Sequence, residues 1–471
     1  MRVAKFPLYL ALAATLAGCG GGGGSGGGGP SPSPTPTSTG TGCTLRERQD
    51  WAFAQLNEWY LFPDLLASGA NPASYPSVQD YIDALVAPAR AQSRDRYFTY
   101  VTSIAEENAF FNSGSSAGFG IRLNYDSVGQ RLFVMEAFEG APALAAGIDR
   151  GTEILAIGPD PASLVTVASL FASGGATAVS NALGPSTAGV TRALQVRTNG
   201  ATSTLSVTKA DYAITPVSAR YGVRIIDDGG RKVGYVNLRT FISTADPALR
   251  DAFASLLAQN VSEVIVDLRY NGGGLVSIAE LMGDLLNSGR AGNVFSHTIF
   301  RASKTANNST KLFANRSEAI AATKVAFIGT GSSASASELV INSQTPYLAA
   351  NSALIGSNTY GKPVGQIGLD RVACDDRLRV VAFKTNNAAN QGEYYTGLAG
   401  HVGASCAAGD DITRPLGDPQ EASIKVALDF LAGRACTPIA AGAQSAQAAG
   451  GRRVLQSTRP SASQYELPGL F

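Results

Sequence analysis

Histidine is nearly missing from this chain: His297 and His401 are the only two in 471 residues. Neither stands in a recognisable Ser/His/Asp spacing, so both read as bystanders to any acid–base chemistry. No Cys-x-x-Cys pair and no His-rich tract offers the spacing of a metal site, and no metal or cofactor is expected. Basic runs are missing as well. The 37 Lys and Arg residues balance 36 Asp and Glu residues and are scattered, which removes the electrostatic footprint of a nucleic-acid partner. Beyond Cys19 no apolar run is long enough for a membrane helix.

What is present begins with a leader. Arg2 and Lys5 precede the apolar run Phe6 to Leu16, which is too short to span a bilayer and ends in Leu16-Ala-Gly-Cys19. Residues 1–18 therefore read as a secretory signal with small residues at its cleavage site. The tetrapeptide resembles the lipobox of bacterial lipoproteins, which implies acylation of Cys19. The Gly that follows it, where such lipoproteins would carry Asp to stay at the inner membrane, implies an outer-membrane anchor facing the periplasm. After Cys19 the segment to residue 42 holds only Gly, Ser, Pro and Thr, which cannot bury enough apolar surface to fold. It is a tether whose reach averages roughly 25 Å. About 430 residues remain for two or three domains with a real core.

Cys43, Cys374, Cys406 and Cys436 lie in a chain bound for an oxidising compartment, so structural disulfides are expected. Four cysteines allow three pairings. The favoured one joins Cys374 to Cys406 within the last lobe and Cys43 to Cys436 across the ends of the folded body.

Residues 43–105 read as a helical N-terminal segment, with Trp51, Phe53, Leu56, Trp59 and Tyr60 on one face and Pro63, Pro72 and Pro76 breaking it into short pieces. Over residues 106–211 the pattern changes to short strands separated by glycine turns. Phe119-Gly-Ile121 followed by Gly140-Ala-Pro-Ala-Leu-Ala-Ala-Gly-Ile-Asp-Arg-Gly-Thr-Glu-Ile-Leu resembles a PDZ domain. That resemblance implies a loop at Phe119, Gly120 and Ile121 whose N–H groups receive a peptide C-terminus, with the peptide added as a strand. The long Ala/Gly/Ser stretch from Ile157 to about Thr191 departs from the pattern. Over residues 212–435 strands alternate with helices: Val233 to Leu238, a helix start at Asp246-Pro247, Val264 to Leu268, then a glycine run, then Val325 to Ile328 ahead of a helix that Pro346 must end. This implies a mainly parallel sheet whose loops meet at the carboxyl ends of its strands, where a site belongs. Residues 436–471, rich in Ala, Gly, Gln and Ser, read as a poorly ordered low-complexity tail.

Two loops carry the chemistry. Ser335 lies in Gly331-Ser-Ser-Ala-Ser-Ala-Ser-Glu338, and Lys362 in Gly356-Ser-Asn-Thr-Tyr-Gly-Lys-Pro-Val-Gly-Gln366. Ser335 and Glu338 make a capping box, which by itself explains the serine. The same placement sets its hydroxyl at a helix N-terminus, where free N–H groups favour developing negative charge. The lysine loop is similar to a phosphate-binding loop, but Pro363 stands where that loop needs a hydroxyl for magnesium. A nucleophilic hydroxyl and one lysine are what an enzyme without a histidine base requires.

The motifs at residues 234–241 (Gly-Tyr-Val-Asn-Leu-Arg-Thr-Phe), Asp267-Leu-Arg-Tyr-Asn-Gly-Gly-Gly-Leu275, Ser333-Ala-Ser-Ala-Ser-Glu338 and Gly356-x-x-Thr-x-Gly-Lys362 occur in the order of the C-terminal processing peptidases. The chain resembles that family over roughly residues 119–433. The resemblance implies an α/β protease core of the crotonase/Clp-like ββα kind, Ser335 as nucleophile, Lys362 as general base, Gln366 orienting the lysine, and the N–H groups of Ala336 and Gly274 as oxyanion hole. Ser333 and Ser337 are the fallback nucleophiles. Two features depart from the family pattern: the Ser335–Lys362 separation is longer, and Pro363 replaces a glycine. The implied function is a lipid-anchored serine endopeptidase acting on proteins with accessible, apolar C-termini. The competing reading is an inactive PDZ-containing scaffold lipoprotein of the envelope.

Overall fold

The computed structural model describes residues 42–440 and 452–471. Cys19 and most of the residues expected to form a leader and a tether lie outside the described residues.

Burial alternation explains the central sheet. Val264 and Val266 face one side and Ile265 the other; on the neighbouring strand Val325 and Phe327 oppose Ala326 and Ile328. Strands apolar on both faces need a helical layer on each side. Six strands supply the sheet in the order Val223–Asp228, Arg231–Asn237, Glu263–Asp267, Lys324–Gly329, Ser352–Gly356 and Ala404–Ala407. The first pair is antiparallel and the rest are parallel. Helices Ala245–Ala258, Val276–Leu286 and Ala336–Leu348 contribute to the core on one face, and Ala422–Leu431 covers the other.

The N-terminal helices do not stand apart from this core. A capping box between Thr44 and Glu47 starts the helix Leu45–Trp59. Its buried Ala52 and Leu56 pack with Tyr81, Ile82 and Leu85 against Leu378, Val380 and Val381. Tyr100–Ser103 then pairs antiparallel with the strand Asp376–Asn386, whose other neighbours include Val364–Arg371. The sheet that carries Gln366 is thus backed by the first helices.

Residues 115–213 form a β-rich module. Its strands run in the order Ile121–Asp126, Arg131–Ala137, Glu153–Gly158, Thr191–Thr198 and Ala201–Thr208. The Ala/Gly/Ser stretch is not irregular: it forms the helix Val167–Leu183, kinked at Gly174 and Gly175, with Val167, Val179 and Leu183 buried on the strands.

Three expectations are corrected. The disulfides join Cys43 to Cys374 and Cys406 to Cys436, with Cα–Cα distances of 5.6 and 5.5 Å. The favoured pairing fails because Cys374 sits in the turn joining Val364–Arg371 to Asp376–Asn386, beside the first helix. Cys406 lies on the edge strand that the Cys436 segment follows, where the Ala407 N–H donates to the Thr437 carbonyl at 2.7 Å. Pro346 does not end its helix, which continues to Leu348. The Asn342 carbonyl, left without its helical donor because Pro346 has no N–H, accepts the Asn387 side-chain amide at 3.3 Å instead. Finally, residues 452–471 are ordered: Arg452–Val454 is a strand and Ala462–Glu466 a helix.

Candidate active site

The serine loop follows the strand Lys324–Gly329 and is pinned by the two serines that flank Ser335. The buried Ser333 hydroxyl donates to the Leu268 carbonyl at 2.7 Å and accepts the Thr330 N–H at 3.0 Å; the buried Ser337 hydroxyl donates to the Asn271 carbonyl at 3.0 Å. Both hydroxyls are spent on holding the serine loop against the glycine run. Ser335 between them is partly exposed and adopts φ 54°, ψ −112°. A non-glycine residue in that region costs on the order of 1–3 kcal/mol, which the surrounding pins offset.

The glycine run is shaped to let Ser335 approach. Gly273 has φ 124°, and a Cβ placed on it would lie 2.9 Å from Ser335 Cβ and 3.2 Å from the Ala336 nitrogen. Asn271 fixes the run, its side chain accepting the Gly273 N–H at 2.9 Å and donating to the Leu238 carbonyl at 2.8 Å. Further back, Arg269 is fully buried and pairs with Asp267 at 3.0 Å, Glu421 at 2.9 Å and Asp410 at 3.2 Å. These carboxylates hold its guanidinium well above its ordinary value against the opposing effect of burial. Its role is to anchor the loop.

The lysine loop is stitched to the serine loop by a buried carboxylate. Glu338 Oε2 accepts the N–H groups of Ser335 at 3.0 Å and Lys362 at 2.7 Å, while Oε1 accepts the Gly361 N–H at 2.7 Å. The Tyr360 N–H adds a bond to the Ser333 carbonyl at 2.9 Å. Burial raises the Glu338 pKa, and its hydrogen bonds oppose that rise. In sequence Glu338 reads only as half of a capping box; its reach to the lysine loop has no local signal.

Lys362 Nζ donates to Gln366 Oε1 at 2.7 Å. The Gln366 amide donates in turn to the Phe98 carbonyl. The Phe98 ring centroid lies 5.0 Å from Nζ, and Tyr360 packs against Phe98 with ring centroids 5.8 Å apart. Burial pulls the Lys362 pKa below its ordinary value; the carboxylates of Glu466, Asp95 and Glu338 oppose this and Arg379 assists it. Arg96 holds the loop from outside, donating to the carbonyls of Gly361 at 2.8 Å and Tyr395 at 3.2 Å. Phe98 and Arg96 belong to the N-terminal segment, and nothing in their local sequence marks them. Beside the lysine loop a cavity of about 410 Å³ is lined by Phe98, Ala334, Tyr360, Lys362 and residues of the 456–470 segment.

The two histidines lie apart from this cluster. The His297 ring bonds the Thr310 hydroxyl at 2.9 Å on a partly exposed strand, and His401 stands against Tyr394. The Phe119–Ile121 loop lies in the β-rich module, with Phe119 and Ile121 buried. Gly120 has φ 72°, and a Cβ there would sit 2.0 Å from Ala141 Cβ. Only glycine fits that turn.

Residues 232–393, which hold the serine loop, the glycine run, Lys362 and Gln366, match the model of peptidase family S41. Over this stretch the chain is similar to the S41 peptidases. Among relatives, the chloroplastic C-terminal processing peptidase of Tetradesmus obliquus is 31% identical over 186 residues, covering 36% of this chain and 38% of that protein. Carboxyl-terminal-processing peptidase 1 of Arabidopsis thaliana is 27% identical over 317 residues, covering 64% and 60%. The match thus spans well under two thirds of the Tetradesmus relative's length. A putative S41 protease from Bacteroides fragilis shares the fold, with a TM-score of 0.63 at 22% identity over 81% of this chain and 97% of that one. The fold shared with that structure is mixed α/β, which is the coarser part of the expectation.

Proposed function

We propose that this chain is a serine endopeptidase of the C-terminal processing type in which Ser335 is the nucleophile and Lys362 the general base. The observation that carries the reading is the Lys362 Nζ to Gln366 Oε1 bond at 2.7 Å, on a loop that Glu338 ties to Ser335. A neutral amine has two N–H bonds and one lone pair. Gln366 takes one N–H and adds no charge, which leaves the lone pair for the serine proton. Bringing a lysine from about 10.4 toward 7 or 8 corresponds to roughly 3–5 kcal/mol of differential stabilisation, and desolvation beside Phe98 works in that direction.

In this mechanism Ser335 Oγ gives its proton to Lys362 and bonds to the peptide carbonyl carbon. The N–H groups of Ala336 and Gly274 receive the oxyanion. The ammonium then protonates the leaving amine, the C–N bond breaks, and an acyl-enzyme remains. Neutral Lys362 takes a proton from water, hydroxide adds to the ester, and as the acyl C–O bond breaks the ammonium gives that proton to Ser335 Oγ, releasing the new peptide C-terminus and restoring the neutral lysine. The Phe119, Gly120 and Ile121 loop belongs to a PDZ-like module that captures substrate by strand addition. A lipid on Cys19 places the enzyme at the outer membrane, facing the periplasm. Casein cleavage by the purified chain, its tether included, tests the reading: Ser335→Ala is expected to lower the rate about 10³-fold or more, and equal rates would refute it.

A further inference from the structure

Residues 452–471 lie where a captured peptide would lie. Arg452–Val454 pairs antiparallel with Ile121–Asp126, and the Leu455 N–H donates to the Leu123 carbonyl at 3.1 Å. The chain then leaves this edge and returns to it at Gly469. The Leu123 N–H donates to the Gly469 carbonyl at 2.8 Å, and the Phe471 N–H to the Ile121 carbonyl at 2.9 Å. The N–H groups of Gly120 and Ile121 both donate to the Phe471 carbonyl oxygen, at 2.9 and 3.2 Å. The donors expected to hold a peptide end are therefore already engaged by this chain's own backbone.

Between the two paired stretches, the segment crosses the cleft of the α/β core. The Gly272 N–H donates to the Glu466 carbonyl at 3.1 Å. Tyr465 stacks on Tyr100 with centroids 3.6 Å apart, and the buried Arg122 donates to the Pro468 carbonyl at 2.8 Å. Leu467 and Leu470 are buried with Phe110, Phe138 and Ile242, and Phe471 is buried in the core of the β-rich module. This is the anatomy of a bound peptide: main-chain pairing along an edge with apolar side chains in alternate pockets.

We propose that residues 452–471 are an internal peptide ligand of the Phe119–Gly120–Ile121 edge that covers the Ser335/Lys362 cleft, so that substrates with an apolar end must displace it. The inference rests on the site assignment above and deepens it by giving the site its own competitor. A tethered ligand acts at an effective concentration of order mM. Against an intrinsic affinity of about 10 µM, that weakens a competing peptide roughly 100-fold. The segment also sets Glu466 beside Lys362, where its charge favours the ammonium and opposes the neutral base.

The test uses the full chain with Ser335→Ala, so that nothing is cleaved, and a fluorescent peptide of the sequence Ser461 to Phe471. Anisotropy is expected to show at least 10-fold tighter binding to the chain carrying Leu470→Asp and Phe471→Asp than to the chain with its segment intact. Equal binding to the two, or binding to neither, would overturn the proposal. Because both residues are buried, a second variant with Gln464→Ala and Tyr465→Ala is measured alongside; if the first loses its melting transition, the second alone decides by the same comparison. Binding does not require catalysis, so a chain that binds the peptide but cleaves nothing would refute the enzyme reading while sustaining this one.

Discussion

Ser335 and Lys362 hang their backbone N–H groups on one oxygen, Glu338 Oε2, at 3.0 and 2.7 Å. A buried carboxylate that a capping pattern assigns to one helix turn thereby sets the distance between two loops. Glu338→Gln keeps the shape but replaces one acceptor oxygen with an amide donor, leaving a buried N–H facing a donor. A loss of about 1–3 kcal/mol in stability is expected, with kcat falling and KM little changed. Denaturant unfolding and steady-state kinetics check the two effects together.

Gln366 bonds the lysine without charging it. Gln366→Glu sets a carboxylate on Nζ, which favours the ammonium and raises the Lys362 pKa. The acid limb of the pH–rate profile, where activity is lost as the base becomes protonated, is expected to move to higher pH. Gln366→Ala removes the bond without adding charge and is expected to lower kcat with a smaller displacement of that limb.

Gly273 packs on Ser335 at a φ of 124°. Gly273→Ala brings a methyl to 2.9 Å from Ser335 Cβ and strains the backbone. The expected cost is about 1–3 kcal/mol. Peptidase activity should fall more than stability does, because the nearest atom to yield belongs to the proposed nucleophile.

The Cys43–Cys374 bridge closes a loop of sequence separation 331 and ties the first helix to the sheet that carries Gln366. Paired Cys43→Ser and Cys374→Ser substitutions are expected to cost about 2–5 kcal/mol, read as a lower Tm. Loss at the Cys406–Cys436 bridge, with separation 30, is expected to be smaller because its loop is shorter.

The parts of the site that lie close together in sequence were legible from it. Ser335 sits at a strand-to-helix turn and Gln366 four positions beyond Lys362, so local pattern and family resemblance reach them. Phe98 and Arg96 are not local: they come to the site only when the N-terminal strand Tyr100–Ser103 joins Asp376–Asn386. Glu338 meets the lysine loop because the strands Lys324–Gly329 and Ser352–Gly356, which precede the two loops, are sheet neighbours. The last residues misled for a compositional reason. The Ala/Gly/Gln/Ser-rich stretch before Arg452 masks Leu455, Leu467, Leu470 and Phe471, spaced too irregularly for a helix or strand period yet each buried in an apolar cluster. The disulfide pairing failed similarly, since chain order does not reveal which strand neighbours which.

The central claim is that Lys362 is the base, and it is tested most directly by the pH dependence of kcat/KM in the chain whose 452–471 segment is released by Leu470→Asp and Phe471→Asp. With Lys362 present, activity is expected to rise with pH through a limb below the ordinary lysine value of about 10.4. Lys362→Met is expected to lower kcat/KM by about 10²–10⁴-fold and to abolish that limb. A Lys362→Met chain that keeps both its rate and its acid limb would contradict the account.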